Sequence, residues 1–126
     1  MPKLRGLIVD DVEAIREALK EILESDEEIE IVGMAANGQD AVKQASELQP
    51  DFITMDLQMP DMNGLQATRE ILNAHSIPIL IIADAQDDEL IFKALTLGAS
   101  EVIVKSDLSP DKAEHLIQKI KEVVKS

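Results

Sequence analysis

Five short apolar runs alternate with five amphipathic stretches along this chain, and that alternation constrains the fold more than any other feature. The runs are Leu4 to Val9, Ile29 to Met34, Phe52 to Met55, Ile79 to Ile82 and Val102 to Val104. Each has the length of a strand, and apart from Arg5, Glu30 and Thr54 they lack the polar alternation of strands with one wet face. Between them, inward positions recur at helical spacing, as in Val12, Ile15, Leu19, Ile22 and Leu23, and again in Leu116, Ile117, Ile120, Val123 and Val124. Asn37 can cap a helix that Pro50 closes, Gly64 opens another, and Asp87 or Asp88 begins a fourth. Gly98 suits the left-handed residue ending that fourth helix, and Ser109-Pro110 reads as the cap and first-turn proline of the last. Strict strand–helix alternation predicts an α/β fold, a five-stranded parallel sheet with helices on both faces. No repeat or composition shift divides the chain, so residues 1–126 read as one domain.

Bulk properties narrow the function. With 45% hydrophobic and 29% charged residues the chain is globular, and no apolar run approaches the ~20 residues of a membrane span. Met1-Pro2-Lys3-Leu4-Arg5 leads directly into the first run, which predicts no secretory leader. The chain has no cysteine, and a reducing, cytoplasmic location is expected. A net charge of −13, scattered basic residues and only two aromatic side chains argue against direct nucleic-acid binding.

Chemistry concentrates where the runs end. Asp10 and Asp11 follow the first run, Asp56 the third and Lys105 the fifth. In a parallel sheet these ends share one edge, where open α/β folds place their sites. Three carboxylates brought together repel unless cations join them. Three negative charges and Lys105 leave two, which one divalent ion cancels. The pattern predicts a hard-cation site beside a carboxylate able to act as a nucleophile. Taken singly, Asp10-Asp11 would read as a helix cap, Asp56 as a loop acid and Lys105 as a surface lysine; their matching positions favour the site.

Val9-Asp10-Asp11, the stretch from Met55-Asp56-Leu57-Gln58-Met59-Pro60 to Asp61-Met62-Asn63-Gly64, and Gly98-Ala99 followed by Val104-Lys105 together resemble a response-regulator receiver domain of the CheY-like type. The likeness runs from Leu4 to the last helix. It implies a flavodoxin-like, doubly wound sheet of order 2-1-3-4-5. It further implies that Asp56 accepts a phosphoryl group from a histidine kinase or a small acyl phosphate. Mg²⁺ would be bound by Asp11 and Asp56, by Asp10 through water, and by the Gln58 backbone carbonyl. Lys105 would pair with the Asp56 carboxylate and then with the phosphoryl oxygens. Such a domain acts on no diffusible substrate and assists only its own phosphorylation and dephosphorylation. Glu28-Ile29-Glu30-Ile31-Val32-Gly33, Ala36-Asn37-Gly38-Gln39-Asp40-Ala41 and Lys105-Ser106-Asp107 are closest in style to receivers of NarL/LuxR-type DNA-binding regulators. An output domain, fused or separate, and a homodimer through the fourth helix, fifth strand and fifth helix are the further partners that this resemblance brings.

The chain departs from that family at the switch. Ala83 stands where receivers usually carry Thr or Ser, and Val102 where they usually carry an aromatic residue. Asp84 stands between a helix-entry role and a role as modulator of the site. These changes leave metal and nucleophile untouched and bear on the output. The expectation is a phosphoacceptor with a weakened response; the alternative is a degenerate receiver that binds protein independently of phosphorylation. A phosphohydrolase would want an acid two residues beyond the nucleophile, where Gln58 stands. Phe92 is divided between a partner-binding face and core filling, and His75 and His115 are expected to be exposed.

Overall fold

Alternate residues of a strand point to opposite faces, and each face of this sheet is packed by its own helices. The computed structural model describes residues 2–59 and 63–125. Its strands are β1 (Leu4–Val9), β2 (Ile29–Ala35), β3 (Phe52–Asp56), β4 (Ile79–Ala83) and β5 (Glu101–Val104). Its α-helices are α1 (Glu13–Glu24), α2 (Gly38–Leu48), α3 (Gly64–Ala74), α4 (Asp88–Leu97) and α5 (Ala113–Lys125). All neighbouring strands pair in parallel, in the order β2-β1-β3-β4-β5. The expected fold and strand order are both present.

One face of the sheet gives Leu7, Val9, Ile53, Met55, Ile79 and Ile81 to a core completed by Ala41 and Ala45 of α2, Ala67 and Ile71 of α3 and Ala94 of α4. The other gives Ile8, Phe52, Leu80, Ile82 and Ile103 to a core with Leu19 and Leu23 of α1 and Leu116 and Ile120 of α5. β1, β3 and β4 lie in the middle of both layers, which is why they read as unbroken apolar runs. Lys121 on α5 holds the turn before β2 through Asp26 at 2.9 Å and Glu28 at 3.0 Å.

Most boundaries agree with the sequence. Asn37 Oδ1 accepts the Asp40 N–H at 2.8 Å, and Asn63 Oδ1 accepts that of Gln66 at 2.9 Å. Gly98 ends α4 at φ 115, a conformation that side chains with a Cβ rarely adopt. Two details differ, and one open alternative is decided. Ser109-Pro110 begins a single 3₁₀ turn (Pro110–Lys112), and α5 proper starts after it; Ser109 makes no side-chain cap bond. His75 is half-buried, while His115 is exposed as expected. Phe92 fills no core: it is 70% exposed on α4.

Candidate phosphoacceptor and metal site

Register decides which side chains meet. Val9, the last residue of β1, lies beside Met55, so Asp10 and Asp56 are neighbours one step further along. Asp56 in turn lies beside Ile82, and Ala83 beside Val104, so the end of β4 and the start of the segment after β5 reach the same edge. Carboxylate oxygens of Asp10, Asp11 and Asp56 all lie within 4.8 Å of one another. Lys105 Nζ is 3.6 Å from Asp56 Oδ1. All four residues that the run-ends singled out are therefore together.

Their surroundings differ. Asp10 and Asp56 are buried, at 3% and 2% exposure, whereas Asp11 faces solvent. Burial pushes the Asp56 pKa up from 3.8 to about 6; the nearby Asp10 charge adds to this, and the Gln58 N–H and Lys105 oppose it. Asp10 is raised chiefly by burial, against a hydrogen bond from the Val12 N–H at 2.9 Å. That bond settles the local role of the acid pair. Val12, not Asp10 or Asp11, occupies the α1 cap position, and Asp10 fixes the turn leading into it. The buried acids thus form a pocket in which negative charge is uncompensated, with one ammonium at its rim.

The loops bracing the pocket explain the motif after Asp56. Gln58 donates its N–H to Asp56 Oδ1 at 3.2 Å, and Gly64 donates its own to the Leu57 carbonyl at 3.2 Å. A Cβ at Gly64 would run into the Asp56 carbonyl and lie 2.7 Å from Leu57 Cα, so glycine is needed for this approach. Pro60, Asp61 and Met62, the middle of the motif, lie outside the described residues.

The remaining singled-out positions sit close by. Ala83 is buried at the end of β4, in the same core layer against which Val102 of β5 packs. Asp84 is half-buried and accepts the Asp87 N–H on its backbone carbonyl at 3.0 Å, which serves the entry to α4. Among the described residues it is not part of the carboxylate cluster. Two contributors escaped the sequence. Arg16 donates through Nη1 to the Asp10 carbonyl at 2.7 Å, and Asp87 accepts the Gln58 side-chain amide at 3.3 Å. Arg16 lies one turn beyond Val12, and helical side chains lean back toward the N-terminus; that spacing was the available signal. Nothing local marks Asp87 as a partner of Gln58.

Known proteins match the chain in sequence and in fold. A family profile described as the response regulator receiver domain covers residues 7–121. A protein-glutamate methylesterase/protein-glutamine glutaminase of Carboxydothermus hydrogenoformans is 44% identical, over 100% of this chain and 38% of its own length. The transcriptional regulatory protein YdfI of Bacillus subtilis is 43% identical, over 82% of this chain and 48% of its own. The chain thus spans less than half the length of these relatives. Among solved structures, the response regulator domain of Thermotoga maritima CheB superposes with a TM-score of 0.91 at 31% identity, covering 98% of each chain. A LuxR-family two-component response regulator from Aurantimonas superposes at 0.87 with 30% identity, over 98% of this chain and 86% of that one.

Proposed function

The chain belongs to the response-regulator receiver family of two-component signalling, and we propose that Asp56 is its phosphoacceptor in a Mg²⁺-dependent reaction. The observation carrying this reading is the buried Asp56 carboxylate, 3.6 Å from the Lys105 ammonium and beside Asp10 and Asp11. The donor set suits Mg²⁺, since it consists of hard carboxylate oxygens with an excess of negative charge. Asp10, Asp11, Asp56 and the Gln58 backbone carbonyl would hold the ion, which supplies charge neutralisation for the phosphoryl oxygens.

The protein's own groups do the rest. An Asp56 oxygen attacks phosphorus, forming an acyl phosphate. The bond from phosphorus to the donor breaks, and its electron pair stays with the imidazole nitrogen of a phosphohistidine or the carboxylate oxygen of a small acyl phosphate. Lys105 exchanges the Asp56 carboxylate for a phosphoryl oxygen, a role that suits a compact ammonium. The phosphodonor partner is a sensor histidine kinase in the cytoplasm. The output is carried by a fused or separate domain, or by a homodimer through α4, β5 and α5. The domain alone turns over no diffusible substrate.

The test is the intact mass after incubation with acetyl phosphate and Mg²⁺. The expected result is the gain of one phosphoryl group, lost in Asp56→Asn and on chelating the metal. No gain in the parent chain would refute the assignment.

A second reading is favoured by Ala83, whose methyl group has nothing to donate to a phosphoryl oxygen: a receiver that binds its partner without switching. Beryllofluoride with Mg²⁺ distinguishes the two. Amide shifts spreading from the site into α4 and β5 indicate switching, and shifts confined to the loops around Asp56 indicate its loss.

A further inference from the structure

The helix α4 carries Leu90, Ile91, Phe92, Ala94, Leu95 and Leu97 in ten residues, yet Ala94 is its only fully buried side chain. Asp88, Glu89, Lys93 and Thr96 fall on one side at helical spacing, and Phe92 stands among them, a large apolar side chain on the polar face. Here Phe92 is 70% exposed and Leu95 45% exposed. Between α4 and α3 runs a groove of about 500 Å³, to which Leu65, Phe92 and Leu97 give apolar surface and Arg69, Lys93 and Thr96 polar atoms. The volume is within the range of about 300–1,000 Å³ typical of occupied sites.

Charge indicates what the groove takes. In a chain with 25 acidic and 12 basic residues, two basic side chains line this one groove. Arg69 is exposed and has no ion pair or hydrogen bond among the described residues. Lys93 has only a solvent-exposed Glu89 at 3.8 Å, a geometry that holds it loosely. A guanidinium so placed is a ready fork for a carboxylate. At physiological salt, exposed charges beyond about 8 Å are screened, so at close range an occupant meets Arg69 and Lys93, the latter beside Glu89, and not the full net −13 of the chain.

We infer that the groove between α3 and α4 docks an acidic amphipathic helix of a partner protein, its apolar stripe against Leu65, Phe92 and Leu97 and its flanking carboxylates on Arg69 and Lys93. A second copy of this chain is a poorer occupant. Two-fold pairing would bring the same face of two strongly acidic copies together, and among the described residues no carboxylate lines the groove to meet Arg69 and Lys93 of the other copy. The groove is separate from the phosphoacceptor pocket, and the inference stands without it.

The test is titration of the isotope-labelled chain with two synthetic helical peptides sharing a leucine stripe, one flanked by glutamates and one by lysines. The glutamate peptide is expected to shift the amides of Leu65, Arg69, Phe92 and Thr96, and to bind at least tenfold more weakly to Phe92→Ala and to Arg69→Glu. Raised salt should weaken it too. Phe92 and Arg69 are exposed, so both variants should keep the parent circular dichroism and the parent uptake of phosphoryl groups. Equal shifts with the lysine peptide, shifts centred elsewhere, or none with either would overturn the inference. So would a concentration-dependent dimer that Phe92→Ala dissolves, because the occupant would then be a second copy.

Discussion

Asp56 shows how one buried carboxylate ties function to stability. Its pKa rises from 3.8 in the ordinary range to about 6 in the fold, chiefly through burial. The metal-free fold therefore holds that proton more tightly than the unfolded chain does. The stability this confers is complete below the ordinary carboxylate value and is lost as pH rises through about 6. Asp56→Asn should remove this slope. At neutral pH, with chelator present, it should exceed the parent by on the order of 3 kcal/mol, at about 1.36 kcal/mol per pKa unit. Urea unfolding of both proteins across the acid range checks it, and parallel pH profiles would rule it out. Ala83 makes the complementary case: on the proposed reading its missing hydroxyl bears on the response and not on stability. A hydroxyl bonded to a charged acceptor contributes about 1.5–3 kcal/mol, an order of magnitude or more in a two-state population. Ala83→Thr should enlarge the spectral response to beryllofluoride by that factor, and an unchanged response would count against the switch role of this position.

At the scale of elements, the ends of strands and the starts of helices are coupled by close packing. Gly64 at the start of α3 rests against the backbone of Asp56 and Leu57. Gly64→Ala should lower stability by about 1–3 kcal/mol, as overpacking does, and should slow uptake of the phosphoryl group because it displaces the end of β3. Denaturation and the rate of mass gain measure the two effects, and a variant normal in both would show that the contact relaxes freely. The same scale explains what the sequence disclosed. β1, β3 and β4 declared themselves because they are buried on both faces, and Asn37 and Gly98 because capping is local chemistry; the Asn63 cap of α3 carried the same signal and went unread. The exposure of Phe92 was legible but not used: at helical spacing Asp88, Glu89, Lys93 and Thr96 mark the outer side of α4, and Phe92 falls among them. The grip of Lys121 on Asp26 was not legible, because the partners lie 95 residues apart with no local mark.

At the scale of the whole molecule, alternation alone gives a parallel sheet, but the order 2-1-3-4-5 needed the likeness to receivers, because periodicity does not say which strands are neighbours. That order is what turns three distant segments into one site. Asp10 and Asp11 follow β1, Asp56 ends β3 and Lys105 follows β5, so a ligand at their junction binds a feature that only the complete sheet possesses. Anything binding only the folded chain stabilises it by mass action, by about 2.7 kcal/mol at a hundred times its dissociation constant. Saturating Mg²⁺ should therefore raise the unfolding midpoint by roughly 10 °C, at roughly 4 °C per kcal/mol for a domain of this size. General screening of the net −13 would also stabilise, so the control is sodium chloride at matched ionic strength, which should give a much smaller rise. The increment should vanish in Asp11→Asn and Asp56→Asn, although the latter starts from a higher metal-free midpoint. It should survive in Asp84→Asn, whose carboxylate stands outside the cluster. A midpoint that Mg²⁺ leaves unmoved, or an increment that depends on Asp84, would mean that the acids at this edge do not form the cation site their positions describe.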